Sequence, residues 1–179
     1  TVAEAAGVRI FENSQVTRID RADPASVVTA TGRVRARHVA ICCNAWIDDL
    51  VPELRSRIMP VGTYIVATES LGEARMRALL REPIAVSDVN WVLDYFRPSA
   101  DHRLLFGGRV SYSGLDPRNT GAATQQRMIR VFPQLADTKI EYAWGGFVDI
   151  TMSRAADFGR LAPNIYYLQG VSGHGIALT

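Results

Sequence analysis

The sequence reads as an α+β fold, a mixed-sheet segment set between two pieces of an incomplete α/β unit, on three observations. Short β-type segments dominate the front, a polar seam around Pro52 to Pro60 parts two β-rich regions, and the chain closes on a strand entering a glycine-rich turn, GVSGHG. Its 179 residues suffice for a sizeable core and fall short of two full-sized domains. With 47 % apolar and 21 % charged residues, disordered, collagen-like and coiled-coil classes are excluded. Twenty Lys plus Arg against 18 Asp plus Glu leave a net charge of +2, too little to suggest nucleic acid or a membrane surface as partner. No apolar run approaches the roughly 18 residues of a membrane span. The opening TVAEAAGVRIF lacks the features of a signal peptide, so a cytoplasmic protein is the expectation.

In chain order, VRIF at 8 to 11 and SQVTRID at 14 to 20 read as strands, followed by SVVTA, a turn at Thr31-Gly32, and VRARHVAICCN. In that last segment alternation gives way to a continuous apolar run, the mark of a strand buried on both faces. ELRSR at the seam is helix-like. Beyond it VGTYIVAT at 61 to 68 alternates as a strand, LGEARMRALLRE at 71 to 82 is helical by spacing, and WVLDYFR and RLLFGGR pair as a hairpin across RPSADHR. A second helix is predicted from Thr120 to Phe132, capped by Asn119 or Thr120, with Ala123, Met128, Ile129 and Phe132 facing inward and Pro133 ending it. The tail gives a strand KIEYAWGGF, an irregular loop to about Asn164, a strand IYYLQ, and a final strand-to-helix turn. A core helix stopping after one turn leaves its face without partners, so both ends read as the boundaries of a fragment.

Cys42 and Cys43 are adjacent, where disulfide geometry is strained, and read as small strand hydrophobes, with a redox role as the alternative. His38, His102 and His174 stand far apart and no metal site is expected. Gly170, Gly173 and Gly175 straddle the last strand-to-helix turn. There, missing side chains let backbone N–H groups approach a ligand, although a tight turn without a ligand has the same sequence. His174 reads as a turn residue or a proton carrier, and Trp46 and Trp144 as core aromatics or as pocket walls. No G-x-S-x-G elbow occurs, which disfavours serine nucleophile chemistry.

Three segments in order resemble the FAD-dependent amine and amino-acid oxidoreductases of the D-amino-acid-oxidase-like superfamily, which holds the glycine and sarcosine oxidases. The branch that looks nearest is that of the γ-glutamylputrescine oxidoreductases. They are QVTRID with TGRVRARHVAICCNAW, MPVGTYIVATESL with YFRPSADHRLLFGGR, and WGGFVDITMSRAADFGRL with NIYYLQGVSGHGIALT. The resemblance implies a partial FAD-binding domain at 1–56, a substrate-binding domain at 57–143 and a closing flavin-side segment at 144–179. It places Val16, Asn44, Ala45, Trp46, Gly170, Gly173, His174, Gly175 and Ile176 on the cofactor, Asn44 standing where the family has glycine. Tyr64, Trp91, Tyr95, Arg97 and Trp144 are the candidates for a small amine or amino-acid-like substrate. Catalysis is assigned to the flavin itself.

Departures from the family sharpen the reading. Val148 stands two residues after the WGG-like turn, where the amino-acid oxidases carry the arginine that clamps a carboxylate; an apolar side chain makes no such pair, which favours an amine. Ser153 and Ala156 replace the family's Asp and Pro, and Ala177 replaces a lysine of the sarcosine-oxidase branch. No cysteine lies at 149 to 153, so the flavin is expected to be noncovalent. The G-x-G-x-x-G fingerprint of the pyrophosphate cradle is missing, which predicts weak or no flavin binding by these 179 residues alone. It also leaves a second reading, a cofactor-less ligand-binding or structural module.

Overall fold

A computed structural model describes residues 1–112 and 119–173. They fall into two compact units, Thr1–Met59 with the residues from Ile150 onward, and Pro60–Asp149.

The first unit opens on a one-turn helix, α1 (Val2–Ala5), held by a capping box in which Thr1 and Glu4 satisfy each other's backbone N–H groups. VRIF, read as a strand, instead runs exposed and irregular from Val8 to Phe11: an apolar alternation makes a strand only where a neighbour takes its hydrogen bonds. β1 (Val16–Asp20), β2 (Ala25–Thr29) and β3 (Arg33–Ala36) form an antiparallel meander. The segment read as one buried strand, VRARHVAICCN, is broken. β3 ends at Ala36, β4 covers only Val39–Ile41, and β3 is largely exposed, because its Arg33 and Arg35 turn that stretch to solvent. Cys42 and Cys43 follow β4 rather than lying in it; Cys42 is exposed and Cys43 half-buried, and both are free thiols.

A kinked 3-10 helix (Asn44–Leu50) and α2 (Pro52–Arg55) follow, the latter with proline in its first turn where an N–H is dispensable. After the excursion through the second unit, the chain returns as β10 (Asp157–Ala162) and β11 (Ile165–Gln169). β10 occupies what reads in sequence as irregular loop. Phe158 is three-quarters exposed and Gly159 has no side chain, so no alternation is legible there. β11 pairs antiparallel with β10 and parallel with β4, giving the order β10-β11-β4. Ile41, Ile47, Val51, Leu54, Ile165 and Tyr167 make the core of this unit.

The second unit is a five-stranded sheet in the order β6-β7-β8-β5-β9. Its strands are β5 (Ile58–Thr68), β6 (Val86–Ser87), β7 (Tyr95–Pro98), β8 (Leu104–Ser111) and β9 (Ile140–Thr151). WVLD does not extend β7: a bend at 89 to 92 and the irregular residues 93 and 94 precede the strand, and WGG lies inside β9 rather than at a turn. α3 (Gly72–Leu79) and α4 (Thr120–Val131) lay Met76 and Met128 on one sheet face with Val66, Leu104, Phe106 and Phe132. On α4, Met128 is buried and Ala123 and Ile129 are half-buried, as the spacing predicts, but the Asn119 side chain makes no capping bond. The helix stops before Pro133, which opens a 3-10 turn.

Candidate functional site

In the first unit Asn44, Ala45, Trp46, Gly170 and Gly173, five of the nine sequence-predicted cofactor residues, lie at one end of a sheet. β4 and β11 run parallel, Val39 to Ile41 opposite Ile165 to Tyr167, so the segments leaving their C-terminal ends emerge side by side. In α/β sheets that is the edge where ligands bind. Asn44 to Trp46 leave β4 there and Gly170 to Gly173 leave β11. Asn44 sits at φ 51°, Gly170 at 68°, Ser172 at 50° and Gly173 at 89°. The left-handed turn explains why a position otherwise suited to glycine accepts Asn44, whose short polar side chain tolerates that region. Ala45 is buried, whereas Trp46 is 65 % exposed, an indole held outside the core. A Cβ at Gly170 would overlap the Thr151 methyl, while Gly173 faces open space. Val16 opens β1 in the meander, half-buried, opposite Thr29. His174, Gly175, Ile176 and Ala177 lie outside the described residues.

The same unit holds a polar network that the sequence did not single out. The Arg57 Nη1 donates to the Tyr167 hydroxyl at 2.8 Å, which donates to Asp157 Oδ1 at 3.0 Å. Gln169 Nε2 donates to Asp157 Oδ2 at 2.9 Å and to the Leu54 carbonyl at 3.1 Å. Arg57 and Asp157 flank an open depression of about 480 Å³ with Thr151, Met152, Ser153, Ala155 and Ala156. Only the spacing of Tyr167 and Gln169 on one face of a strand hinted at it, since their partners lie about ten and a hundred residues away in sequence.

In the second unit the five substrate candidates do not share a surface. Phe96 and Phe106 pack on the helix-covered face, so Tyr95 and Arg97 project from the other. Tyr95 lies against Gly107 across the strand pair, where a Cβ would collide with its ring, and its hydroxyl is hydrogen-bonded to the Thr63 side chain. Burial pushes the Tyr95 phenol up from its ordinary value, a shift that the Thr63 bond opposes. Trp144 is on the face of Tyr95 and Arg97: it alternates with Ala143 and Gly145, which meet Gly121 of α4 and the Tyr64 ring. Tyr64 is therefore on the helix-covered face, 2 % exposed, and is a core residue. Trp91, in the bend before β7, is 76 % exposed and belongs to neither group. Val148, on the face of Trp144 by alternation, is half-buried. Among the described residues no cluster of His, Cys, Asp and Glu has metal-binding geometry, and no helix is long and apolar enough to cross a membrane.

The family profile described as FAD dependent oxidoreductase (DAO) matches residues 1–179. The chain belongs to this FAD-dependent oxidoreductase family. Within it, the chain is 45 % identical over 174 residues to the gamma-glutamylputrescine oxidoreductase of Escherichia coli K12, covering 97 % of this chain and 41 % of that protein. It is 39 % identical over 178 residues to the probable oxidoreductase OrdL of Haemophilus influenzae, covering 97 % and 40 %. The chain thus spans about two-fifths of the length of these curated relatives. The glycine oxidase of Geobacillus kaustophilus superposes with a TM-score of 0.80 at 20 % identity, covering 98 % of this chain and 47 % of that structure. The L-proline dehydrogenase of P. horikoshii superposes with a TM-score of 0.77 at 18 % identity, covering 97 % and 48 %. At those identities the DAO fold is what is shared, and FAD is the family's cofactor.

Proposed function

We propose that the chain is part of an FAD-dependent oxidoreductase that oxidises a C–N bond of an amine. The observation that carries the reading is the β4–β11 edge, where two parallel strands end in left-handed turns beside an exposed indole. That edge suits the ring-bearing half of a dinucleotide flavin: backbone turned outward at Gly173, no side chain in the way, and the exposed face of Trp46 for stacking. The pyrophosphate-bearing half has no such cradle in these residues, since no G-x-G-x-x-G is present. The group's chemistry when bound is to accept a hydride equivalent from the carbon bearing the nitrogen. The residues of this chain bind and orient. Val16, Asn44, Ala45, Trp46, Gly170 and Gly173 serve the cofactor side, with His174, Gly175 and Ile176, and Tyr95, Arg97 and Trp144 serve the substrate side. On this reading the unit of Thr1–Met59 with the residues from Ile150 onward belongs to the cofactor domain and Pro60–Asp149 to the substrate domain, boundaries that differ from the expected 1–56, 57–143 and 144–179 because β9 runs unbroken from Ile140 to Thr151.

An amine is favoured over a small α-amino acid because Val148 offers no donor to a carboxylate. The E. coli relative's name, which specifies an amine linked to glutamate, points the same way. The test is substrate profiling of the full-length flavoprotein against amines and small α-amino acids. Oxidation of amines with little turnover of glycine or sarcosine is expected, and strict selectivity for small α-amino acids would defeat the reading. The missing fingerprint is the observation that favours the alternative, a module without cofactor. A full-length protein that shows no flavin absorbance, even with FAD added, would select it.

A further inference from the structure

The polar network of the first unit ends at the residue from which the glycine turn departs. Gln169 closes β11, stands directly opposite Asp157 of β10 and is 4 % exposed. The chain turns left-handed at the next residue, Gly170, and again at Ser172 and Gly173. Gln169 Nε2 is held by acceptors from two other elements, the Leu54 carbonyl of α2 and Asp157 Oδ2. Asp157 is itself fixed by the Tyr167 hydroxyl on Oδ1 and by Arg57, 3.6 Å from Oδ2, whose guanidinium also lies over the Tyr167 ring at 5.6 Å. Burial alone does not call for such a network: apolar groups of similar shape in place of paired buried polar groups are often neutral for stability. What bonds on two sides add is a single arrangement. They pin the Gln169 side chain, and with it the direction in which the backbone leaves the strand. The turn then rests on the Thr151 methyl, placed by the bond from Thr151 Oγ1 to the Ala155 carbonyl, and Gly173 at its outer end faces open space.

Resting on the flavin reading above, we propose that Gln169 is a positioning residue, which through its bonds to Leu54 and Asp157 orients the backbone N–H groups of the Gly170–Gly173 turn toward the flavin. Tyr167 and Arg57 act one step further out, by holding Asp157. Donors fixed in advance stabilise charge that grows on reduction more than they stabilise the oxidised ring. Loosening the turn therefore weakens the hold on reduced FAD more than on oxidised FAD, and the reduction potential falls. Damage to the fold alone has no such preference between the two redox states.

The test uses the full-length flavoprotein. Gln169→Met removes both bonds and keeps the length of the side chain, and Tyr167→Phe removes only the outer hydroxyl. For each, the two-electron potential of bound FAD is measured alongside the FAD dissociation constant and the urea midpoint. In Q169M the affinity for reduced relative to oxidised FAD is expected to drop about tenfold, the lower end of what losing an outer-shell hydrogen bond does at a metal site. For a two-electron couple that is a fall of about 30 mV. Y167F should shift the potential the same way by less. Thr68→Val, which breaks a buried hydroxyl bond in the second unit, should lower the urea midpoint and leave the potential where it was, the pattern of purely structural damage. An unchanged or raised potential in Q169M, or in Y167F should Q169M not fold, overturns the proposal. Failure of the wider reading looks different: wild type that binds no FAD sinks both, whereas a shifted potential without turnover of any amine sinks the amine reading alone and supports the role of Gln169.

Discussion

Replacing Gly170 by alanine separates two reasons for glycine at the β11 exit. The first is backbone: at φ 68° an alanine is held in the left-handed region, at a cost of about 1–2 kcal/mol. The second is packing: the new Cβ would overlap the Thr151 methyl, and overfilling a fixed site costs about 1–3 kcal/mol. Together they predict that Gly170→Ala lowers the unfolding free energy by about 2–5 kcal/mol, read from urea titrations followed by tryptophan fluorescence. Thr151→Ser removes the methyl but keeps the hydroxyl, whose bond to the Ala155 carbonyl at 2.8 Å fixes the loop. In that background the cost of Gly170→Ala should fall to about 1–2 kcal/mol, leaving only the backbone part. An unchanged cost in the Thr151→Ser background refutes the methyl contact. A cost under about 0.5 kcal/mol in wild type refutes the left-handed turn itself.

Three further outcomes follow from the described contacts. Thr68 is fully buried, accepts from Leu104 N at 3.0 Å and donates to the Glu69 carbonyl at 2.8 Å, so Thr68→Val strands a buried amide and should cost about 1–3 kcal/mol in the same titration. Asp101 is held below the usual carboxylate range by its Ser99 hydrogen bond and then by Arg103, as Asp20 is by Arg18 and Glu53 by Arg21. Depressed carboxylates contribute stability that is present above their unfolded values and lost as pH falls through the folded ones. The urea midpoint should therefore be flat from about pH 8 to 5, decline below about pH 4, and decline less steeply in Asp101→Asn. Iodoacetamide at neutral pH should label exposed Cys42 before Cys43, whose thiol burial pushes up, and peptide mass spectrometry showing the reverse order would contradict that burial.

What the sequence makes legible here is periodicity, and what it hides is partnership. α4 and β5 announce themselves because one buried face repeats, Met128 and Phe132 on the helix and Val66 and Thr68 on the strand. The loss of VRIF as a strand and the gain of β10 have one cause: whether a short segment pairs depends on a neighbour that its own residues do not specify. At the β4–β11 edge the glycines were readable because left-handed backbone restricts residue type, and Asn44 through the family resemblance alone, whereas Arg57, Asp157 and Tyr167 meet only through the fold.

The sheet face that carries Tyr95 and Arg97 shows the same divide. Alternation within β7 fixes Tyr95 and Arg97 to one side, and alternation within β5 sets Tyr64 apart from Thr63, but no pattern inside either strand relates the two parities. That relation comes from the pairing through β8, where the register shifts between Tyr64 and Ile65 and leaves Gly108 as an extra residue. Ile65 then shares its face with Gly107 and Tyr95, while Tyr64 lies against Gly145 on the helix side. A single slip of register would exchange them and put Tyr64 on the face of Tyr95 and Arg97.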